Sequence, residues 1–148
     1  KALNLVSKKL AQMIVKDGEG ATKFVEIKIE GLESSEDCLE VAYTIAHSPL
    51  VKTALFASDA NWGRILAAVG RAKVNGVSIE NIDIYINGLQ IIVSGEKSST
   101  YTEELGSAEM QKSEIIIRVN LGTTSSSESV WTTDLSYDYV KINAEYRS

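Results

Sequence analysis

The sequence predicts an α/β protein, more closely α+β layered, in which helices pack against a mixed β-sheet around one core. Residues 3–16 repeat apolar side chains at helical spacing, whereas residues 22–30 alternate apolar and charged side chains as a half-exposed strand does. Asn87-Gly88 between two β-rich runs indicates a hairpin, because a type I′ turn needs positive φ at both central residues. Helical and strand patterns therefore alternate along one chain.

The first two helices are predicted from their apolar spacing and from their ends. Gly18 follows the first helix at the place of a helix C-cap glycine. Ser34 or Ser35 can cap the second helix, because a serine oxygen there accepts a hydrogen bond from a free backbone N–H group. The apolar positions of this second helix are Cys38, Val41, Ala42 and Ile45.

Three short elements are predicted next. Ser48-Pro49 fits the N-cap and first position of one more helical turn. Residues 53–57 then predict a short buried strand. Asp59 is predicted to cap a third helix over residues 61–73.

The second half of the chain predicts four strands, which cover residues 82–86, 89–93, 113–121 and 130–134. Residues 122–127 predict a loop between the last two strands, because they are glycine, threonine and serine. Residues 136–146 predict a short terminal helix capped by Ser136 or Asp134.

Composition limits the class of protein. The 148 residues predict one domain spanning residues 1–148. The net charge of −5 and the lack of clustered basic residues disfavour a nucleic-acid partner. No apolar run is long enough to cross a membrane, and the first residues do not predict a signal peptide. With a single cysteine, Cys38, the sequence favours the reducing cytoplasm.

The sequence lacks the residues that several catalytic mechanisms require. His47 is the only histidine, and no G-x-S-x-G motif is present, so a serine triad is disfavoured. One histidine and one cysteine without close spacing disfavour a zinc site, and we predict no bound metal or tightly bound cofactor. A structural or surface role is favoured for His47, and a buried role for Cys38.

Three segments stand out, each with a structural alternative. Residues 17–23 form either a tight turn with Glu19 in solvent or a loop that presents Glu19 to an ammonium group. Residues 58–64 form either a helix start with Trp62 packed beneath it or a functional turn at a strand-to-helix junction. Residues 134–148 either dock on the body or bring Asn143 and Ser148 to a pocket.

These segments carry a family resemblance over essentially the whole chain. They read D-G-E-G-A-T-K at residues 17–23, A-S-D-A-N-W-G-R-I at residues 57–65 and D-Y-V-K-I-N-A-E-Y-R-S at residues 138–148. The Asn-Gly hairpin and S-E-I-I-I-R-V-N-L-G at residues 113–122 fit the same pattern. In this order and spacing they resemble the ornithine acetyltransferase family of arginine biosynthesis, also called glutamate N-acetyltransferase.

The resemblance implies a fold and a reaction. Such proteins have an N-terminal-nucleophile-like (DmpA/ornithine acetyltransferase-like) fold, and a precursor cleaves itself into an α and a β chain that assemble as a cytoplasmic heterotetramer. The new N-terminal threonine of the β chain takes the acetyl group from N-acetylornithine and passes it to glutamate; bifunctional members also use acetyl-CoA. An N-terminal threonine can use its own amine as base, which agrees with the lack of a histidine triad.

The resemblance also assigns this chain its part. The chain corresponds to the C-terminal portion of the β chain, so the nucleophilic threonine lies upstream and no catalytic residue is expected here. The expected partners are the α chain and the N-terminal part of the β chain. Glu19, Asn143 and Ser148 match the family's amino-acid-binding residues. Two alternatives stay open: a non-catalytic isolated domain, and a subunit of a related N-terminal-nucleophile amidase or peptidase.

Overall fold

The computed structural model describes residues 1–146, and these residues form helices and strands in one α/β arrangement. The helices are α1 (Ala2–Lys16), α2 (Ser35–Ala46), α3 (Pro49–Phe56), α4 (Trp62–Arg71), α5 (Glu103–Met110) and α6 (Tyr137–Glu145). The strands are β1 (Phe24–Glu30), β2 (Asp83–Ile86), β3 (Leu89–Val93), β4 (Glu96–Lys97), β5 (Glu114–Asn120) and β6 (Ser127–Thr133). A single 3₁₀ turn (Ile79–Asn81) precedes β2.

The strands form one mixed sheet in the order β4-β3-β2-β5-β1-β6. Strands β1 and β5 are parallel neighbours, and the other pairs are antiparallel. The Asn-Gly hairpin joins β2 to β3 as predicted, with φ of 49° at Asn87 and 89° at Gly88. The predicted mixed sheet with packed helices is therefore confirmed.

The core lies on one face of this sheet. Alternate residues of β1 are buried, and Val25, Ile27 and Ile29 are each 0% exposed. Helix α2 packs on β1 and β6 and also contacts α4. All four predicted apolar positions of α2 are fully buried. The apolar face of β1 and the apolar face of α2 thus pack against each other, and this packing buries both.

Helix α1 covers part of the opposite face and leaves its own apolar side chains exposed. It packs on β6, where the Lys8 ammonium lies 5.4 Å from the Trp131 ring. Lys16 forms an ion pair of 2.5 Å with Glu114. No residue of α1 is buried, and its exposed apolar residues are Leu3, Leu5, Val6, Leu10, Met13 and Ile14. Within residues 1–146, none of the helices is both long and apolar enough to cross a bilayer.

The prediction of a strand over residues 53–57 is wrong, because α3 continues through this segment. Ser48 accepts a hydrogen bond from the backbone nitrogen of Val51, and Pro49 supplies the first helical position, as predicted. Val51, Ala54 and Leu55 are buried, and their spacing is helical. A short apolar run does not distinguish a buried helix from a buried strand, and here the helix start decides it.

Three local details also differ from prediction. Asn61, rather than Asp59, caps α4, because its Oδ1 accepts from the backbone nitrogen of Arg64 at 3.1 Å. The C-cap of α1 is Asp17, and the left-handed glycine lies further on, at Gly20. Helix α5 was not predicted at all; it begins after Thr102, whose hydroxyl accepts from the backbone nitrogen of Leu105.

Replacing Ser34 by alanine is expected to lower the free energy of unfolding by about 1 kcal/mol. The Ser34 hydroxyl accepts from the backbone nitrogen of Asp37 at 3.0 Å, and alanine would leave that N–H group of α2 without its partner. Ser35 supplies the matched control because it is exposed and begins the helix itself. Urea unfolding should show the loss for Ser34→Ala and a change within about 0.5 kcal/mol for Ser35→Ala.

Candidate functional site

The loop between α1 and β1 carries Glu19 and lies against the start of α6. Gly20 has a φ of 65°, a left-handed conformation that glycine adopts without steric cost. A Cβ atom on Gly20 would lie 2.6 Å from the backbone nitrogen of Tyr139 and 2.9 Å from Oγ of Ser136. This close approach therefore requires glycine, and it places Glu19 beside the terminal helix.

Asp134 holds the end of this loop. Its Oδ1 accepts from the backbone nitrogens of Thr22 at 2.8 Å and Lys23 at 2.9 Å, and its Oδ2 accepts from the Thr22 hydroxyl at 2.5 Å. The Asp134 residue is only 3% exposed. A buried carboxylate is tolerated when donors of this kind replace water. These hydrogen bonds join the chain just before β1 to the residue that follows β6.

Ser136 makes the second connection between the same two segments. Its hydroxyl donates to the carbonyl oxygen of Gly20 at 2.6 Å and accepts from the backbone nitrogen of Tyr139 at 3.1 Å. The second of these contacts is the N-cap of α6. Of the two capping residues that the sequence allowed, Ser136 caps the helix, and Asp134 binds the loop.

Glu19 and Asn143 meet at the surface as a result. The Asn143 amide nitrogen donates to Oε2 of Glu19 at 3.1 Å and to the carbonyl oxygen of Tyr139 at 2.9 Å. Both residues are exposed. The third predicted residue, Ser148, lies outside the described residues. Two residues that the family resemblance selected, 124 positions apart, thus share one hydrogen bond.

The pair has the chemistry to receive an amino acid. A carboxylate offers about four lone-pair positions, and Asn143 occupies one of them. The rest can accept from an ammonium group, while the amide oxygen of Asn143 can accept a further hydrogen bond. A cavity of about 190 Å³ lies on the strand side of the same loop, lined among others by Lys16, Thr22 and Phe24.

Lys23 anchors the exit of the loop inside the protein. It is 8% exposed, and its ammonium group donates to the carbonyl oxygens of Leu55 at 2.5 Å and Met110 at 2.7 Å and to Oγ of Ser58 at 2.6 Å. Burial lowers the pKa of Lys23, and the nearby charge of Asp134 opposes that effect. The two carbonyl groups belong to the last turns of α3 and α5, whose helix dipoles favour a cation.

Lys52 holds the strand end that carries Asp134. Its ammonium group donates to the carbonyl oxygen of Thr133 at 2.5 Å and to Oγ1 of Thr132 at 2.9 Å. Its own carbonyl oxygen accepts from the backbone nitrogen of Leu135 at 3.1 Å. Burial lowers the pKa of Lys52, and Asp134 again opposes the shift. Helix α3 thus supports the segment on both sides of Asp134.

The segment over residues 58–64 supports the loop rather than joining it. Ser58, with a φ of 55°, contacts Lys23, while Asp59 accepts from the side chain of Asn61 at 2.9 Å. Trp62 is partly buried against the core, as the structural alternative predicted. The sequence pattern gives Lys23 no separate role and predicts Asp134 only as a possible helix cap. The one feature of the sequence that could have indicated this role is a lysine directly before a strand that is buried on one face.

The remaining candidates have structural positions. His47 is exposed at the C-cap of α2, with its ring 5.6 Å from that of Tyr43. Cys38 is buried, as predicted, and burial raises the pKa of its thiol. Among residues 1–146, no group of three or more histidine, cysteine, aspartate or glutamate residues is placed to hold a metal ion.

Comparisons with known proteins agree on one family. The model of the ArgJ family matches residues 1–148. The chain is 57% identical over 148 residues to the arginine biosynthesis bifunctional protein ArgJ of Pseudomonas syringae pv. tomato, covering all of this chain and 36% of that protein. It is 58% identical over 139 residues to the protein of the same name from Pseudomonas fluorescens, covering 94% of this chain and 34% of that protein.

A solved structure extends the similarity to the fold. The chain matches the crystal structure of the arginine biosynthesis bifunctional protein ArgJ from Bacillus halodurans with a TM-score of 0.92 and 40% identity. The match covers 98% of this chain and 68% of that one. The predicted N-terminal-nucleophile-like fold class is thereby confirmed. The chain spans about a third of the length of the curated relatives it matches.

Proposed function

Because the chain belongs to the ArgJ family, we propose that it forms part of an acetyltransferase of arginine biosynthesis. In this proposal the complete protein moves an acetyl group from N-acetylornithine to glutamate, and this chain supplies part of the amino-acid-binding site. The observation that carries the proposal is the hydrogen bond between Glu19 and Asn143, which unites two motifs from opposite ends of the chain.

The acetyl transfer itself uses a threonine outside this chain. Its hydroxyl attacks the acetyl carbonyl of N-acetylornithine while its own amine takes the proton, and ornithine leaves from the acyl-enzyme. Glutamate then attacks the acyl-enzyme and restores the threonine. The Glu19 carboxylate holds the ammonium group of the bound amino acid, and Asn143 and Ser148 bind its polar ends. Acetyl-CoA serves as a further acetyl donor if the protein is bifunctional; no other cofactor is part of the proposal.

The expected partners follow from the same proposal. The exposed apolar side chains of α1 form a surface that water disfavours, and the remaining parts of the family protein are suited to cover it. We propose that these parts are the α chain and the preceding part of the β chain, in a cytoplasmic heterotetramer formed after autocatalytic cleavage.

Replacing Glu19 by glutamine in a full-length protein that contains this chain is expected to lower kcat/KM for N-acetylornithine about ten- to a hundredfold. Glutamine keeps the size of the side chain but removes the charge, and a hydrogen bond to a charged group contributes about 1.5–3 kcal/mol. The measurement is steady-state acetyl transfer to glutamate at varied N-acetylornithine.

The matched control is Glu33→Gln, an exposed glutamate in the turn before α2. It should leave kcat/KM unchanged. Wild-type kinetics for Glu19→Gln would contradict the binding role. Release of acetate at the full rate without glutamate would instead identify an amidase or peptidase of related architecture, and a folded complete protein with neither activity would identify a non-catalytic domain.

A further inference from the structure

The buried carboxylate of Asp134 lies near the Glu19 site, but the proposed reaction gives it no role. Asp134 lies after β6, is 3% exposed, and within residues 1–146 accepts three hydrogen bonds, all from residues 22 and 23. These two residues follow Glu19 by three and four positions. The hydrogen bonds of Asp134 therefore hold the loop that carries Glu19, and Asp134 does not itself contact Glu19 or Asn143 through them.

The same short segment also sets the start of α6. Two residues after Asp134, Ser136 donates to the carbonyl oxygen of Gly20 and caps the helix through Tyr139. Asn143 lies one helical turn after Tyr139, and its side-chain amide donates to the carbonyl oxygen of Tyr139. One segment of three residues, 134–136, thus fixes both the loop of Glu19 and the helix of Asn143.

The contact between Glu19 and Asn143 is weakly held without this support. Both side chains are exposed and are joined by a single hydrogen bond of 3.1 Å. Exposed side chains lose rotamer freedom when they are ordered, so the geometry of such a pair depends on the backbones beneath it. Those backbones are tied by the contacts of Asp134 and Ser136.

We propose that Asp134 is a positioning residue that sets the distance between Glu19 and Asn143 by holding the loop of residues 17–22 against the start of α6. The inference rests on the proposed function, because its readout is binding of the amino acid at Glu19. Asp134 touches no substrate. It acts through Thr22 and Lys23, and a displaced loop weakens binding of the donor while the remote threonine still carries out the acetyl transfer.

The substitution Asp134→Ala in the full-length protein is expected to raise KM for N-acetylornithine about tenfold or more with kcat changed by less than about threefold, because loss of positioning removes binding that ground state and transition state share. Asp134→Asn is the conservative rescue. Its Oδ1 can still accept from both backbone nitrogens, and its amide can donate to the Thr22 hydroxyl. It should recover most of the wild-type KM.

A second pair of variants covers the case in which Asp134→Ala does not fold. Thr22→Val keeps the shape of the side chain but leaves Oδ2 of Asp134 without its hydroxyl donor, whereas Thr22→Ser keeps that donor. Thr22→Val should raise KM and Thr22→Ser should not. A merely structural role would lower the active fraction, and hence the apparent kcat, with KM unchanged; that result would overturn the inference.

The Glu19→Gln background separates this inference from the proposed function. If Asp134 acts through Glu19, the rise in KM caused by Thr22→Val should shrink to less than about threefold in Glu19→Gln, since residues that act as a unit are not additive. Equal rises in both backgrounds would overturn the positioning role. A lowered kcat/KM for Glu19→Gln with wild-type KM for Asp134→Ala and Thr22→Val would overturn this inference alone. Wild-type kcat/KM for Glu19→Gln would overturn the proposed function.

Discussion

Replacing Gly31 by alanine is expected to lower the free energy of unfolding by more than about 3 kcal/mol. Gly31 follows β1 with a φ of 90°, a conformation that costs an L-residue about 1–2 kcal/mol. A Cβ atom there would lie 2.4 Å from the carbonyl oxygen of Gly122 and 2.6 Å from its nitrogen. Both are backbone atoms, so the clash cannot be relieved by turning a side chain.

The position of Gly31 explains why the chain cannot retreat from this clash. Strands β1 and β5 are parallel neighbours and end side by side, so the chain leaves both at the same edge of the sheet. Gly31 donates to the carbonyl oxygen of Ser126 at 3.0 Å, and Leu121 donates to that of Glu30 at 2.9 Å. Moving the backbone to admit a methyl group would break these hydrogen bonds where β1 and β5 end.

Gly70 supplies the matched control in the same chain. It is exposed within α4, and a Cβ atom on it would meet no heavy atom within 4 Å. Gly70→Ala should therefore raise the free energy of unfolding by up to about 1 kcal/mol, because alanine loses less backbone freedom in a helix. Urea unfolding of the two variants should move the midpoint in opposite directions. Equal midpoints would refute the steric argument.

The features that the sequence predicted well are local ones. Ser34, Ser48 and Ser136 each cap the helix that follows within three residues, and Asn87-Gly88 forms its hairpin from two adjacent backbone conformations. The alternation of apolar and charged residues in β1 predicts which of its side chains are buried, since one face packs on α2 and the other does not. In each case the physical cause lies within a few positions of the residue.

The features that the sequence did not predict depend on distant partners. Asp134 looked like a helix cap, but it binds residues 22 and 23, which lie 111 or more positions away. The function of Lys23 depends on carbonyl groups at the ends of two helices, one of which, α5, lacks a clear apolar pattern. Glu19 and Asn143 were selected by resemblance, and their contact could be found only in the folded chain. Tertiary context decided these positions.

Replacing Lys23 by methionine is expected to lower the free energy of unfolding by about 3 kcal/mol. Methionine fills similar space and removes a buried cation, but it leaves Oγ of Ser58 and the carbonyl oxygen of Met110 facing an apolar side chain. It also removes one of the two lysine charges that act on the buried Asp134, the other being that of Lys52. Losing one member of a buried polar set costs more than the desolvation it relieves, because its partners remain.

Lys73 supplies the control for this substitution. It is exposed, so Lys73→Met should change the free energy of unfolding by no more than about 0.5 kcal/mol. Thermal and urea unfolding at neutral pH should separate the two variants clearly. A Lys23→Met protein as stable as the wild type would show that the ammonium group contributes nothing at the ends of α3 and α5.

The pH dependence of the same difference tests the electrostatic part of the argument. Burial lowers the pKa of Lys23 from its ordinary value of 10.5, so just below that value the unfolded chain holds more protons at this lysine than the folded chain does. The free energy of unfolding then rises with pH through the window between the lowered pKa and 10.5.

Lys23→Met lacks this titration, while its other titratable groups are the same as in the wild type. The deficit of Lys23→Met relative to the wild type should therefore grow as pH increases through this window and stay constant below the lowered pKa, because Lys23 is then protonated in both states. A deficit that shrinks with rising pH would mean that the folded protein favours the protonated lysine, and that the helix ends and Asp134 outweigh the cost of burying its charge.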